Sequence, residues 1–373
     1  MHSRTNQPVL YTPAVETVSE DEVAVIAQLR ETMLEMSATM HGHTGHAMRS
    51  VHAKSFGLLR GTLEVLPGLP PALAQGLFSS PHTYDLVVRF SSPPAEQLDD
   101  RVSLPRAVAL KVLGVQGERL PGSEGNTTRD FLMVDGPVFV AKDAKDFMRQ
   151  AKLLATSTDK AESGKRMLSV LLRGANAALN AVGVDSTAVQ AMGGHRQVHP
   201  LGATFFTQVP LRYGQHIAKL SLVPVSSTLT PLIDAPLGDE LANHPDGLRE
   251  AVVQFFAANA AEWELRAQLN TDLETMPIED ACVQWSEEES PYLPVARLAI
   301  ASQSAWHGQR SPFTEDRLSF SPWHGLAAHR PLGGVMRARR EIYSSSVAFR
   351  GNANGCPIHE PEELREMDAR AEA

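Results

Sequence analysis

Apolar positions recur along this chain with two different periods, and the changes between them mark out its elements. In "SEDEVAVIAQLRETMLEMSATM" (19–40), Val23, Ile26, Leu29 and Met33 fall on one helical stripe, with Ser19 as cap and Glu22 three residues later. From residue 51 to 140 the texture turns strand-like: "GLLRGTLEVL", "TYDLVVRFS", "RAVALKVLGV" and "DFLMVDGPVFV", punctuated by Pro, Gly and Asp. Two helical patterns follow, "DAKDFMRQAKLLAT" (143–156) and "ESGKRMLSVLLRGANAALNAV" (162–182). Strands resume at "ATFFTQVPLRY", "HIAKLSLVPVS", "WELRAQLNTD", "DACVQW" and "PVARLAIASQ", with a helix near 247–260. A last helix runs from about Pro331 to Phe349, before a polar tail. Many antiparallel strands at hairpin spacing, wrapped by helices, predict an α+β protein built on a β-barrel. The expected organisation is an N-terminal arm (1–20), one large domain (21–352) and the tail (353–373).

Composition narrows the function classes. The 373 residues are 43% hydrophobic, enough for a large core. A formal net charge of −9 speaks against general nucleic-acid binding, which wants a basic face. Only Cys282 and Cys356 are present, so no disulfide framework is expected. No run of about 18 apolar residues suggests an integral membrane segment, and "MHSRTNQPVLYTPAVET" has no secretory pattern. The expectation is a soluble, cytoplasmic protein.

The chemistry concentrates in "RREIYSSSVAFR" (339–350). The helical period aligns Leu332, Val335/Met336, Arg339, Tyr343, Val347 and Arg350 on one stripe. An amphipathic helix with snorkelling arginines would explain this. A chemical reading is sharper: a cation one turn from a phenol favours its ionised form. Phenolate is a known proximal ligand of haem iron, and Arg350, two turns on, suits bidentate recognition of a haem propionate. A distal side is then required. "MRSVHAKSFG" (48–57) supplies His52, an acid–base group for peroxide, with Arg49 three residues earlier. "VVRFSS" puts Arg89 and Ser91 on one strand face, a propionate anchor and a hydroxyl to orient the imidazole. "GPVFVAKDAKDF" gives Phe139 and Phe147 as apolar walls.

These segments resemble the haem-dependent catalases and their short, catalase-related peroxidase branch. "RSVHAK" resembles the family's distal-histidine motif. "VVRFS" and "PRAVALKV" are similar to its next two strand segments, and "GPVFVAKDAKDF" to the stretch carrying its distal aromatics. "LSFSP" (318–322) resembles the segment before its proximal helix, and Arg339-x-x-x-Tyr343 its ligand motif. The resemblance runs over roughly residues 20–352. It implies a catalase-like antiparallel β-barrel wrapped by helices, with haem b between the barrel and a C-terminal helix. Tyr343 would be the iron ligand, His52 the distal acid–base and Ser91 its orienting partner. Arg339 would hold the phenolate, while Arg49, Arg89 and Arg350 would anchor propionates. The implied function is a haem peroxidase or catalase-related oxidoreductase acting on hydrogen peroxide or organic hydroperoxides. A homodimer or homotetramer is expected.

Departures from the family pattern shape that expectation. Val134 stands where the catalases place a distal asparagine, which predicts weak catalase activity and a preference for organic peroxides. "SSSVAF" replaces the usual run after the tyrosine. Two alternatives stay open: a lipid hydroperoxide isomerase or lyase of the allene oxide synthase type, and a non-catalytic haem-binding protein. His41, His43 and His46 read as solvated imidazoles rather than a metal site. His324 and His329, in "SPWHGLAAHRPLGG", read as structural or supporting groups, and Glu287–Glu289 as a solvated turn.

Overall fold

Strand β1 (Ser55–Val65) sends Leu59, Leu63 and Val65 into the main core, while Glu64 faces solvent. The same alternation holds in β2 (Thr83–Ser91), β3 (Ala107–Val112) and β4 (Arg129–Val134): Leu86, Val88, Phe90, Val108, Leu110, Val112, Phe131 and Met133 all join that core. The computed structural model describes residues 7–155, 194–308 and 310–364. Five further strands follow: β5 (Phe205–Phe206), β6 (Leu211–Tyr213), β7 (His216–Pro224), β8 (Ala261–Leu269) and β9 (Leu293–Ile300). All pairings are antiparallel, in the order β5-β4-β3-β2-β1-β9-β8-β7-β6, and β5 also pairs with β7. That last pairing closes eight strands into a barrel and leaves β6 as a short flap on β7. The interior is filled by side chains, Trp263 and the stacked Phe56 and Phe90 among them.

Six α-helices stand outside the barrel among the described residues: α1 (Glu22–Thr44), α2 (Ala144–Ala155), α3 (Asp239–Ala242), α4 (Gly247–Ala258), α5 (Arg310–Arg317) and α6 (Gly334–Ala353). Helices α1, α2 and α6 share a second core of Val25, Leu29, Met33, Ala151, Ala338 and Ile342. The fold class expected from sequence is the one found. No helix among the described residues is long and apolar enough to cross a membrane.

Several local expectations change. Val23 is 81% exposed, and the buried stripe of α1 runs through Val25 instead. Ser19 spends its hydroxyl on Asp21 rather than capping a backbone amide. "DFLMVDGPVFV" stops being strand at Val134, where Asp135, Gly136 and Pro137 break the ladder. "DACVQW" is not a strand, because both edges of β8 are already taken by β7 and β9. Its Trp285 is buried against the Lys219 ammonium, 4.8 Å from the ring centre. The helix expected at 162–182 lies outside the described residues. The polar tail is part of the packed body as far as it is described: Glu360 is held by Lys111, Thr128 and Ser319.

Candidate active site

The site is built on the outer face of β2, β3 and β4. Because side chains alternate, the residues between the core positions point outward: Arg89 and Ser91, Ala107 and Ala109, Leu132 and Val134. Register then sets them in rows. Arg89 pairs with Ala109 and Ala109 with Leu132; one pleat along, Ser91 pairs with Ala107 and Ala107 with Val134. The two central positions are alanines, so the middle of the sheet is hollow where its neighbours are tall. Over this hollow lies a small, half-open cavity of about 40 Å³. Arg49, Val51, His52, Arg89, Ser91, Val134, Arg339 and Tyr343 all line it, with Phe320 from the segment ahead of α6.

His52 enters from the link between α1 and β1. Its backbone is left-handed, with φ of 58°, a conformation that costs a non-glycine residue about 1–3 kcal/mol. The link is pinned around it: the His52 and Ala53 amides donate to the Pro93 and Pro94 carbonyls at 2.8 and 2.9 Å. Buried Lys54 is tied to Asp100 at 2.9 Å and to Asp246 at 3.1 Å. Ser91 Oγ lies 3.3 Å from His52 Nδ1. Burial, reinforced by Arg89, Arg339 and Arg49, pushes the imidazole pKa down to about 3. His52 is therefore a neutral ring with one nitrogen engaged and Nε2 left to act.

Tyr343 comes from the middle of α6. Arg339, one turn before it, donates from Nη2 to the phenolic oxygen at 3.1 Å, and its guanidinium carbon sits 5.4 Å from the ring centre. The opposite charges gather at one end. Arg89 donates through Nε to Glu315 Oε1 at 2.6 Å and through Nη2 to the His52 carbonyl at 2.9 Å. Arg49 and Arg350 both donate to the Leu318 carbonyl, at 2.9 and 3.1 Å, and the Nε of Arg350 is buried without a hydrogen-bond partner. Burial drives the Arg49 pKa down, and that of Arg350 to about 10.

Seven of the ten residues singled out from sequence thus meet on one cavity wall: Arg49, His52, Arg89, Ser91, Val134, Arg339 and Tyr343. Arg350 joins them through Leu318. Phe139 and Phe147 stand off that wall. Their rings meet edge to face at 5.2 Å; Phe147 packs with the core of α1, α2 and α6, and Phe139 with that of Val335 and Met336. His324 and His329 are also elsewhere: His324 Nε2 meets the Thr128 hydroxyl at 2.6 Å, and His329 Nε2 accepts from the Leu77 amide at 2.9 Å. Sequence reasoning missed Glu315, Ala107 and Ala109. The alanines had a signal, small residues at alternate positions of an apolar strand; Glu315 had none.

No family model matches the sequence, and no curated protein matches it. The fold does have solved counterparts. A fungal catalase superposes with a TM-score of 0.60 at 16% identity, over 90% of this chain and 68% of its own. A bacterial catalase gives 0.59 at 14%, over 97% and 67%. Catalase A from Saccharomyces cerevisiae gives 0.57 at 15%, over 86% and 65%. The fold is catalase-like. The chain spans about two thirds of the length of these structures.

Proposed function

We propose that the cavity holds haem b and that the protein is a haem-dependent oxidoreductase acting on hydrogen peroxide or organic hydroperoxides. The observation that carries this reading is the convergence on one cavity of a phenol held by a guanidinium and a neutral imidazole held by a hydroxyl. The residues suit the group. The cavity has an apolar wall of Val51, Ala107, Ala109, Leu132 and Phe320, an oxygen ligand in Tyr343, and Arg49 and Arg89 for carboxylates; Arg350, which shares the Leu318 carbonyl with Arg49, has an unused buried donor.

When bound, the haem supplies the iron centre at which the O–O bond is activated. The chain does the rest. Arg339 gives the Tyr343 oxygen a charge-assisted donor that fixes the direction of the phenol. With Nδ1–H directed to Ser91 Oγ, His52 Nε2 takes a proton from the peroxide and returns it to the departing oxygen. Val134 offers no hydrogen bond to a second hydrogen peroxide, which favours an organic donor over dismutation.

Rearrangement of a lipid hydroperoxide is the second reading, favoured by the apolar row of Val134, Leu132, Ala107 and Ala109. The test is expression of the full chain with haem supplied, followed by absorption spectra and product analysis. A Soret band lost in Tyr343→Phe, with peroxide consumed alongside an organic reductant, is expected. Conversion of a lipid hydroperoxide without reductant selects the second reading. Absence of haem uptake overturns both.

A further inference from the structure

We infer that Ser346 and Asn354 are positioning residues: they hold the link that carries His52 against the helix that carries Tyr343, and so fix where the imidazole stands in the cavity. For the reaction this rests on the haem reading above. The link, residues 45–54, runs from the end of α1 to the start of β1 with no helix or strand of its own. Its buried backbone must therefore be satisfied by other elements. The side-chain amide of Asn354 takes both groups of Ala47, a fully buried residue. The Ala47 amide donates to Asn354 Oδ1 at 2.9 Å, and Asn354 Nδ2 donates to the Ala47 carbonyl at 2.9 Å. Ser346 Oγ accepts from the Ser50 amide at 3.1 Å. From His52 onward the partners change. The His52 and Ala53 amides turn to the Pro93 and Pro94 carbonyls, and the Lys54 carbonyl accepts from the Ser92 amide at 3.0 Å, in the segment that continues β2.

His52 thus stands at a changeover. The stretch before it is tied to α6, the helix of Arg339 and Tyr343. The stretch after it is tied to the end of β2, the strand of Arg89 and Ser91. Tyr343, Ser346, Arg350 and Asn354 succeed one another every three or four residues, so the face of α6 that presents the phenol also presents the anchors. Ser346 is the third serine of "SSSVAF", the run that departs from the catalase pattern. Asn354 caps the helix, where its own amide closes the last turn on the Arg350 carbonyl at 3.0 Å. A left-handed histidine persists only where its surroundings over-determine it, and here they do so from two sides. Both anchor groups are neutral and bind backbone, so their hold on His52 is one of position rather than charge.

The test reads His52 directly. In the full-length protein prepared without haem, the imidazole pKa is followed by pH titration of its ring-proton NMR signals. Ser346→Ala and Asn354→Ala each remove one anchor. Both are expected to let water reach the ring and to raise its pKa from about 3 by about one unit or more. Ser346→Thr keeps the hydroxyl and is expected to stay near wild type. Arg49, Arg89 and Arg339, the cations that act on the ring, are intact in every variant. In protein loaded with haem, cyanide association is expected to slow by about 10–10²-fold in both alanine variants, with the Soret position unchanged. A role in stability alone would lower the melting temperature and leave the His52 pKa and the cyanide rate where they are. That outcome overturns the proposal, and so does a shifted Soret band, which would place the disturbance at Tyr343. The two alanine variants carry the same expectation, so either one that folds decides. A wild-type protein that takes up no haem overturns the haem reading, and the titration of His52 then decides the positioning role by itself.

Discussion

Arg339 Nη2 donates to the Tyr343 hydroxyl at 3.1 Å across one turn of α6. Four residues of spacing place the two groups together, and the buried flank of the helix, Ala338 and Ile342, locks the turn that carries them. A hydrogen bond involving a charged group contributes about 1.5–3 kcal/mol. Arg339→Leu is therefore expected to weaken haem retention by about tenfold or more, read as the rate of haem transfer to an acceptor protein. Retention equal to wild type would remove Arg339 from the ligand's support.

In the proposed function, His52 would set the acid side of the pH profile. Its pKa of about 3 lies far below that of an exposed imidazole, so it stays neutral from about pH 5 upward. Peroxide consumption is expected to show no acid limb between pH 5 and 8, and His52→Gln to lose about 10²–10⁴-fold in rate. A depressed folded-state pKa also means the unfolded chain binds the proton more readily. His52 therefore costs stability progressively as pH falls from about 6.5 towards 3. A limb near pH 6.5 in the rate profile would show a different base at work.

Lys111, Asp130 and Glu360 form a buried group of one amine and two carboxyls beside the site. Burial pushes the Asp130 carboxyl up to about 7, Lys111 opposes the rise and Glu360 adds to it. The folded protein holds this proton more tightly than the unfolded chain, so the contribution of Asp130 to stability falls as pH climbs from about 4 to 7. Glu360→Gln removes the second anion. Its melting temperature is expected to be lower, but with a shallower decline between pH 5 and 7. A parallel decline in both proteins would contradict the coupling.

Gly61 of β1 lies where a Cβ would stand 2.5 Å from the Ala299 carbonyl oxygen of β9. Neither backbone can give way without loosening the β1–β9 ladder, so Gly61→Ala is expected to cost about 1–3 kcal/mol in urea unfolding. A loss under 0.5 kcal/mol, on the order of a neutral surface change, would mean that the ladder shifts freely.

Much of this was legible in the sequence, for definite reasons. The strands read correctly because the barrel buries one face, giving the period of two in Leu86, Val88 and Phe90. Arg339 and Tyr343 were legible because a helix converts spacing into proximity, and Arg89 with Ser91 because a strand does the same. Glu315 was not, because its partnership with Arg89 spans 226 residues and no local period encodes it. The surplus strand at "DACVQW" came from local apolarity, which cannot know that the neighbouring edges are already occupied. Val23 misled in the same way: apolar and in phase, it is nonetheless exposed.

The barrel closes through β5, a strand of two residues. Phe206 meets Val134 on one side and Ser221 on the other, where other seams run for many pairs. The wall is thus welded at a short point, helped by the Thr207 amide on the Leu220 carbonyl and by Gln208 on the Gly136 and Val138 carbonyls. Val134 is both the last rung before that weld and a stone in the cavity wall. The shortest seam of the barrel and the edge of the cavity therefore meet at one residue, and a change at Val134 acts on both.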